Sequence, residues 1–257
     1  MRRRTRIVLL ELWLPIVAVA AWWTLTAGSE SIYFPPLETI LEHFRDTFLG
    51  AGAADLVRPS LVNLTLGYAI ASVAGILGGV LIGMNRWASA ALDPLVHFFR
   101  ALPGPALLPF AIIAFGIGAT MKVWIIAFTT LFPILLNTID GVRGTDALAG
   151  EVAHAYRIGR LRRIVAIVLP AASPQIMAGL RVGLQTAILL MVVSELVAST
   201  SGIGFFILQS QQSFEIADMW AGIIALGLLG CLLNALFGVA ERRVLRWYIA
   251  THGEVVR

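Results

Sequence analysis

Six long apolar runs fix the architecture that this chain can adopt. They lie near residues 7–27, 60–84, 95–115, 121–139, 176–198 and 218–240. A hydrocarbon core of about 30 Å is crossed by about 20 helical residues at about 1.5 Å per residue, and each run has roughly that length. Only 13% of the residues are charged, and the period-two alternation of a transmembrane barrel is absent. The sequence therefore predicts an all-α integral membrane protein with six transmembrane helices.

Arginine positions predict which loops face the cytoplasm, because short loops rich in Arg and Lys stay on that side. Arginines cluster before the first run, after the second, between the fourth and fifth, and after the sixth: Arg2, Arg3, Arg4, Arg6, Arg86, Arg143, Arg157, Arg160, Arg162, Arg163, Arg242, Arg243 and Arg246. Both termini and residues 140–175 are therefore predicted to be cytoplasmic. Only Arg45, Arg58 and Lys122 are left for the opposite loops. The same placement explains the net charge of +4 without nucleic-acid binding.

The runs and loops divide the chain into three regions. Residues 1–59 hold the first span and an external amphipathic helix, for which a structural role is favoured over ligand recognition. We favour an uncleaved first span over a secretory signal, because no small-residue cleavage pattern precedes Trp22. Residues 60–240 form a core of five spans that includes the cytoplasmic loop 140–175. Residues 241–257 form a cytoplasmic tail.

The second run carries a ladder of small residues at every fourth position. Its members are Gly67, Ala71, Gly75, Gly79 and Gly83. Such a face permits close approach of another helix backbone. Packing within one subunit is favoured, and a sliding or dimer contact is the alternative.

Prolines break the third run just after Arg100. Pro103, Pro105 and Pro109 remove backbone donors and disfavour a straight helix. Irregular backbone at membrane depth must be covered by protein or line a wet cavity. Arg100 and Pro103 are therefore candidates for the wall of a pathway, with a plain kink as the alternative.

The fifth run holds Arg181 and Glu195, the side chains most costly to place in a membrane. Their separation of 14 residues is about 21 Å along a helix, so the two cannot pair with each other. Arg181 is expected to extend to the cytoplasmic interface. Glu195 is expected near the external end, where it either pairs with another helix and stabilises a gate or contacts the substrate.

Catalysis by the chain itself has little support in the sequence. The four histidines are scattered with no metal-ligand spacing, no serine lies in a G-x-S-x-G turn, and the sole lysine, Lys122, is outside any phosphate-binding loop. We predict no catalytic residue, no metal and no cofactor on this chain, and no ATPase activity of its own. Cys231, the one cysteine, is expected to be a small core residue.

The segment EVAHAYRIGRLRRIVAIVLP at 151–170 is too polar to span a bilayer. It resembles the cytoplasmic EAA loop of binding-protein-dependent ABC importer permeases, with Glu151, Ala153, Ile167, Leu169 and Pro170 in register. Val152 replaces the first alanine of the pattern, and Arg157 stands at its usual glycine, two residues before Gly159. The resemblance implies that Glu151, Ala153, Arg157, Gly159, Leu169 and Pro170 couple the chain to an ATPase. Pro170 is expected to set the return of the chain into the membrane.

Residues 60–205 are similar to the nitrate, sulfonate and taurine branch of that family. The similar blocks are DPLVHFFRALPGPALLPFAIIAFGIG at 93–118, FPILLNTIDGV at 132–142, LPAASPQIMAGLR at 169–181 and SELVASTSGIG at 194–204. The resemblance implies a type I importer fold, a permease homodimer, an ABC ATPase dimer that holds ATP and Mg in the cytoplasm, and an external substrate-binding protein. It implies a location in the cell inner membrane and leaves the solute open among nitrate, sulfonates, taurine and similar compounds.

Two other classes of transport protein remain as alternatives. An ion channel needs a selectivity element of ringed carbonyls or charges, for which only Arg181 and Glu195 are candidates. A secondary transporter is expected to show an internal repeat with paired broken helices, whereas only the third run looks broken. Both alternatives lack a motor subunit, which separates them from an ABC importer.

Overall fold

A computed structural model describes residues 2–29, 31–146, 151–153 and 155–252, and its regular elements are helices. In chain order they are α1 Arg2–Thr26, α2 Leu37–Phe48, α3 Ala53–Met84, α4 Arg86–Ala101, a 3₁₀ turn Gly104–Leu107, α5 Leu108–Phe115, α6 Ala119–Arg143, α7 Arg160–Arg163, a π turn Ile164–Val168, α8 Leu169–Val197, α9 Ile203–Gln212, α10 Ile216–Val244 and α11 Arg246–His252.

Four of the described helices are long and apolar enough to cross a membrane: α3, α6, the continuous helix Arg160–Val197 and α10. A fifth crossing is available if α4 and the segment Gly104–Phe115 form one broken span, and α1 holds a shorter apolar stretch over Ile16–Thr26. The predicted runs all fall on these helices. The count of six transmembrane helices stays a prediction.

The small-residue ladder of α3 packs against α6 of the same chain, which confirms packing within one subunit. A Cβ atom added to Gly67, Gly75, Gly79 or Gly83 would lie within 3.0 Å of an α6 side chain. The α6 residues met are Ile126, Ile134, Thr138 and Val142, each 59 positions further along the chain than its glycine. This constant offset means that α3 and α6 run parallel.

The parallel packing of α3 and α6 determines the path of residues 85–118. Because both helices start at the same end of the bundle, the chain between them must return across it. It does so through α4 and the segment Gly104–Phe115, which meet at an angle of 90°. The break predicted at Pro103 lies at this bend, where Leu102 and Pro103 are extended. The third predicted span is therefore a bent crossing and not one straight helix.

The helix Arg160–Val197 runs antiparallel to α6. Gly141 of α6 meets Ala172 and Gln175, and Gly183 meets Thr130 and Ile134. The helix has 38 residues, or about 57 Å, which exceeds a hydrocarbon core of about 30 Å. Its Arg160 end is therefore expected to project beyond the bilayer.

The predicted amphipathic helix is α2, and it packs against α10. Its Leu37 and Ile40 are buried, and its His43 Nδ1 lies 2.8 Å from Asp218 Oδ1 of α10. Trp220 Nε1 of α10 donates to the Tyr33 carbonyl at 3.1 Å. These contacts support the structural role expected for this helix.

Helix α10 packs on the core through one side, which includes Leu226, Leu229 and Leu233, and leaves much of its surface exposed. Only 6% of its apolar window is buried. Cys231 lies on this helix with an exposed side chain, so the expectation of a core cysteine is wrong. An apolar helix with an unpacked face is typical of a chain whose neighbours are lipid or another subunit.

Candidate functional site

Glu195 is fully buried at the end of α8, and its carboxylate holds several segments together. Its Oε2 accepts hydrogen bonds from Ser60 Oγ of α3 at 2.9 Å and from the Gly204 backbone N–H at 3.0 Å. Ser60 Oγ also accepts from the backbone N–H of Ile203 at 3.0 Å. One carboxylate and one hydroxyl therefore fasten the start of α3 and the start of α9 to the end of α8. Of the two expected roles for Glu195, pairing with another helix is the one that matches this geometry.

The turn between α8 and α9 is shaped around this carboxylate. Gly202 has a φ of 108°, a conformation that favours glycine. A Cβ on Gly202 would lie 2.5 Å from the Glu195 carboxyl carbon, and a Cβ on Gly204 would lie 2.8 Å from the Glu195 Cβ. The Gly-x-Gly sequence therefore lets the backbone close over the carboxylate.

Lys122 joins the same cluster, and the expectation that it lies in an external loop is wrong. It is in the first turns of α6, its residue is only 4% exposed, and its Nζ donates to Ser199 Oγ at 2.6 Å. Ser199 belongs to the turn between α8 and α9, where its Oγ accepts from the Ser201 N–H at 3.2 Å. The sequence did contain a signal, because a lone lysine at the start of an apolar run needs a partner. Ser60 and Ser199 carry no comparable signal.

The Glu195 cluster consists of Glu195, Ser60, Lys122, Ser199 and the backbone of 202–204. Glu195 Oε1 has no hydrogen-bond partner in the described chain. A cluster of this kind has polar contacts to four helices, and the turn covers the carboxylate. Lys122 and Ser199 also line a neighbouring cavity of about 540 Å³. Chemically the cluster can fix the geometry of one end of the bundle, and Glu195 itself is not among the residues that line that cavity.

Arg181 lies in a different place and has a different partner. Its Nη2 pairs with Glu241 Oε2 near the end of α10, and its guanidinium carbon lies 6.0 Å from the centre of the Phe237 ring. Sequence reasoning missed Glu241, because nothing in the local pattern relates it to Arg181. Arg181 therefore ties α8 to α10, which is more than the free extension to the interface that we expected.

Arg100 lies at a cavity of about 290 Å³ formed where the third crossing bends. The cavity is lined from α4 by Phe99 and Arg100, from α6 by residues that include Phe128 and Thr129, and from α8 by Thr186. Pro103 precedes the 3₁₀ turn whose Gly104 would meet Thr129 if it carried a Cβ. The structure thus brings Arg100 and the proline break together and keeps them apart from Glu195 and Arg181.

The segment 151–170, which the sequence predicts to be cytoplasmic, has an unusual backbone at Arg157. Its φ is 51°, and the Ile158 N–H donates to the Ala153 carbonyl at 2.9 Å. This is the Schellman pattern that ends helices, in which the left-handed residue is usually glycine. Arg157 therefore keeps the conformation of the usual glycine. Gly159, by contrast, has nothing within 4 Å of an added Cβ, so sterics do not require glycine there.

The surface of this segment is apolar and basic. Ala153 is buried, whereas Glu151 and Arg157 are exposed and Tyr156 and Leu161 are 79% and 76% exposed. Exposed large apolar side chains beside charges are typical of an interaction surface.

Leu169 and Pro170 lie inside the continuous helix Arg160–Val197 and not at a turn into the membrane. The Leu169 N–H bonds to the Ile164 carbonyl, five residues back, and Pro170 has no N–H to place. The π turn thus accommodates the proline without a bend sharp enough to end the helix. The segment and the Glu195 cluster are therefore at opposite ends of one helix.

Comparison with known proteins identifies the family. The model of the binding-protein-dependent transport system inner membrane component matches residues 71–246. The chain belongs to this family. It is a permease of the type I ABC importer class, as its resemblance predicted, and its partner subunits would supply any ATPase.

Curated relatives match the permease over most of its length. The putative aliphatic sulfonates transport permease protein of Bacillus subtilis (strain 168) is 32% identical, covering 91% of this chain and 86% of that protein. The bicarbonate transport system permease protein of Synechococcus elongatus is 36% identical over 73% of this chain and 68% of its own. The taurine transport system permease protein of Escherichia coli (strain K12) is 30% identical over 93% and 88%.

A solved structure has the same fold. A chain of the inward-facing MetNI methionine ABC transporter superposes with a TM-score of 0.65 at 18% identity, covering 72% of the permease and 93% of that chain. At this identity the likeness concerns the fold alone.

Removal of the Ser60 hydroxyl is predicted to destabilise the permease. Ser60→Ala leaves the Ile203 N–H without its acceptor and removes one donor from the buried Glu195 carboxylate, which costs about 1–3 kcal/mol. The measurement is thermal unfolding of the purified protein. The matched control is Ser72→Ala on the same helix, whose hydroxyl donates to the Tyr68 carbonyl one turn back in its own helix. Equal melting temperatures for the two variants would contradict the prediction.

Proposed function

We propose that this chain is the permease of an ATP-driven importer that carries a small anionic solute delivered by an external binding protein. The observation that carries the proposal is the set of relatives that match most of the chain, which are named for aliphatic sulfonates, bicarbonate, nitrate and taurine transport. These solutes differ in shape but share an oxyanion group. A common chemistry across relatives that are 30–36% identical to this chain favours the same class of solute here.

The working transporter in this proposal is a homodimer of the permease with an ABC ATPase dimer in the cytoplasm. Six transmembrane helices per chain place both termini in the cytoplasm, as the arginine distribution requires. The domains are then the N-terminal span with α2 at 1–59, the core at 60–240 and the cytoplasmic tail at 241–257. ATP and Mg are bound by the ATPase, and the unpacked face of α10 is available to lipid or to a neighbouring chain.

Coupling to the ATPase is proposed to occur through the segment 151–170. Its exposed Tyr156 and Leu161 provide an apolar surface for docking, and Glu151 lies exposed beside them. Because the helix Arg160–Val197 continues from this segment to Glu195, a displacement at the ATPase can be transmitted along a single rigid element. Alternating access then follows from movement of this helix together with α6, against which it packs.

Glu195 is proposed to hold the external gate and not to contact the solute. Its carboxylate is covered by the 202–204 turn and engaged by Ser60, and a carboxylate repels an anion. The pair of Arg181 with Glu241 is proposed to keep α8 and α10 together nearer the cytoplasm. Arg100 and Pro103 are proposed to line the pathway at its bend.

Uptake into proteoliposomes tests the function directly. The permease is reconstituted with its ATPase and binding protein, and uptake of radiolabelled taurine, nitrate and bicarbonate is measured. We expect uptake of at least one of these anions that requires ATP, the ATPase and the binding protein together. Uptake driven by an ion gradient without the ATPase would support a secondary transporter, and passive conductance would support a channel. Either result would overturn the proposal.

Reversal of the Glu151 charge is predicted to uncouple the transporter. Glu151→Lys adds a positive charge to a surface that already holds Arg157 and Arg160, which weakens docking of the ATPase. We expect copurification with the ATPase and ATP-dependent uptake to fall about tenfold, while the permease still inserts and unfolds at its normal temperature. The matched control is Glu38→Lys on the exposed side of α2. Normal copurification and uptake by the Glu151→Lys protein would refute the coupling assignment.

A further inference from the structure

We propose that the cavity at Arg100 is an anion-binding site of the permease itself, which takes the oxyanion group of a sulfonate, nitrate, carboxylate or bicarbonate in transit. This inference rests on the proposed function, and it names the residue and the cavity that would bind the solute. The cavity is called the Arg100 cavity and is defined by Arg100, Phe99, Phe128, Thr129, Phe132 and Thr186.

The Arg100 cavity lies midway along the bundle. Its α6 lining residues lie between Phe128 and Leu136, in the middle of a helix that runs from Ala119 to Arg143. Phe128 is nine residues from the start of α6, so the cavity begins about 14 Å below the external end. A charged side chain at this depth is costly and is usually retained for function.

Arg100 has no counter-ion within the described part of the chain. Two other arginines pair with an acidic side chain of a different helix. These pairs are Arg143 with Asp93 at 3.2 Å and Arg181 with Glu241. No acidic side chain is among the described residues that line the Arg100 cavity. The cavity near the external end differs in this respect, because it holds Asp55 beside Arg58 and Lys122. The charge of Arg100 is therefore available for a mobile anion.

Thr129 lies at the wall of the cavity. Its Oγ1 is buried beneath Gly104 and has no hydrogen-bond partner in the described chain. Because this oxygen is closed to water in the present conformation, a solute oxygen reaches it only if the Gly104 turn moves away. The Thr186 hydroxyl, by comparison, already donates to the Val182 carbonyl at 3.0 Å.

The remaining lining suits a small organic anion. A guanidinium binds an oxyanion through two parallel hydrogen bonds. The rings of Phe99, Phe128 and Phe132 provide an apolar wall for a short alkyl group, and a volume of about 290 Å³ is at the low end for ligand sites. Few other polar groups line the cavity, which favours weak binding that lets a solute leave.

Charge-selective labelling of a cysteine at Thr186 tests the site. In a Cys231→Ser background, Thr186→Cys is the sole thiol, and the assembled transporter is labelled in nanodiscs with methanethiosulfonate reagents that carry either an ethylsulfonate or an ethyltrimethylammonium group. The measured quantity is the ratio of the labelling rate with the anionic reagent to the rate with the cationic reagent. We expect this ratio to be about tenfold higher with Arg100 than with Arg100→Gln, because Arg100 attracts the sulfonate. Methanesulfonate in excess should slow labelling only when Arg100 is present.

The control variant is Arg45→Gln, which removes an arginine of α2 whose side chain is 72% exposed. It should leave the labelling ratio unchanged. Equal ratios for the Arg100 and Arg100→Gln proteins would overturn the site, including the case in which Arg100 is neutralised by a carboxylate of a second copy. The result is independent of uptake. If the wild-type transporter shows no ATP-driven anion uptake, the proposed function fails whatever the labelling ratio is.

Discussion

The buried carboxylate of Glu195 is the interaction that fixes one end of the helix bundle. It is fully removed from water, and it is retained there because Ser60 and the Gly204 N–H bond to it. A buried charge without such partners is strongly destabilising. The ends of α3, α6, α8 and α9 therefore have one relative arrangement that satisfies the carboxylate.

Close packing of the helices extends this fixed arrangement through the rest of the bundle. The glycine ladder brings α3 against α6 with a constant offset, and α8 packs antiparallel on a neighbouring face of α6 through Gly179 and Gly183, where it also contacts α3. Close backbone packing of this kind leaves little freedom for sliding. The helix Arg160–Val197 belongs to the same body and leads to the cytoplasmic segment. The bent third crossing packs less fully, and the Arg100 cavity lies at its bend.

Structural features that are determined by residues close together in the sequence could be predicted from local patterns. The ladder of Gly67 to Gly83 and the proline break after Arg100 follow from spacing and residue type, and the resemblance to the family is confirmed. Contacts between distant residues could not be predicted. Lys122 near Glu195, Ser60 on Glu195 and Glu241 on Arg181 depend on how helices far apart in sequence align. The positive φ of Arg157 was also missed, because arginine gives no signal for it.

Uptake and ATP hydrolysis by the Glu195→Gln transporter test the central claim, that the Glu195 cluster links the external end to the coupled helix. Glutamine keeps the volume and can still accept from Ser60, but it removes one carboxyl oxygen from the cluster. We predict that the complex assembles and hydrolyses ATP, while ATP-driven uptake falls about tenfold. The reason is that a movement of the helix Arg160–Val197 is no longer transmitted to the segments that contact Glu195. Glu38→Gln on α2 serves as the control and should transport normally. Full uptake per ATP hydrolysed by the Glu195→Gln transporter would contradict the account.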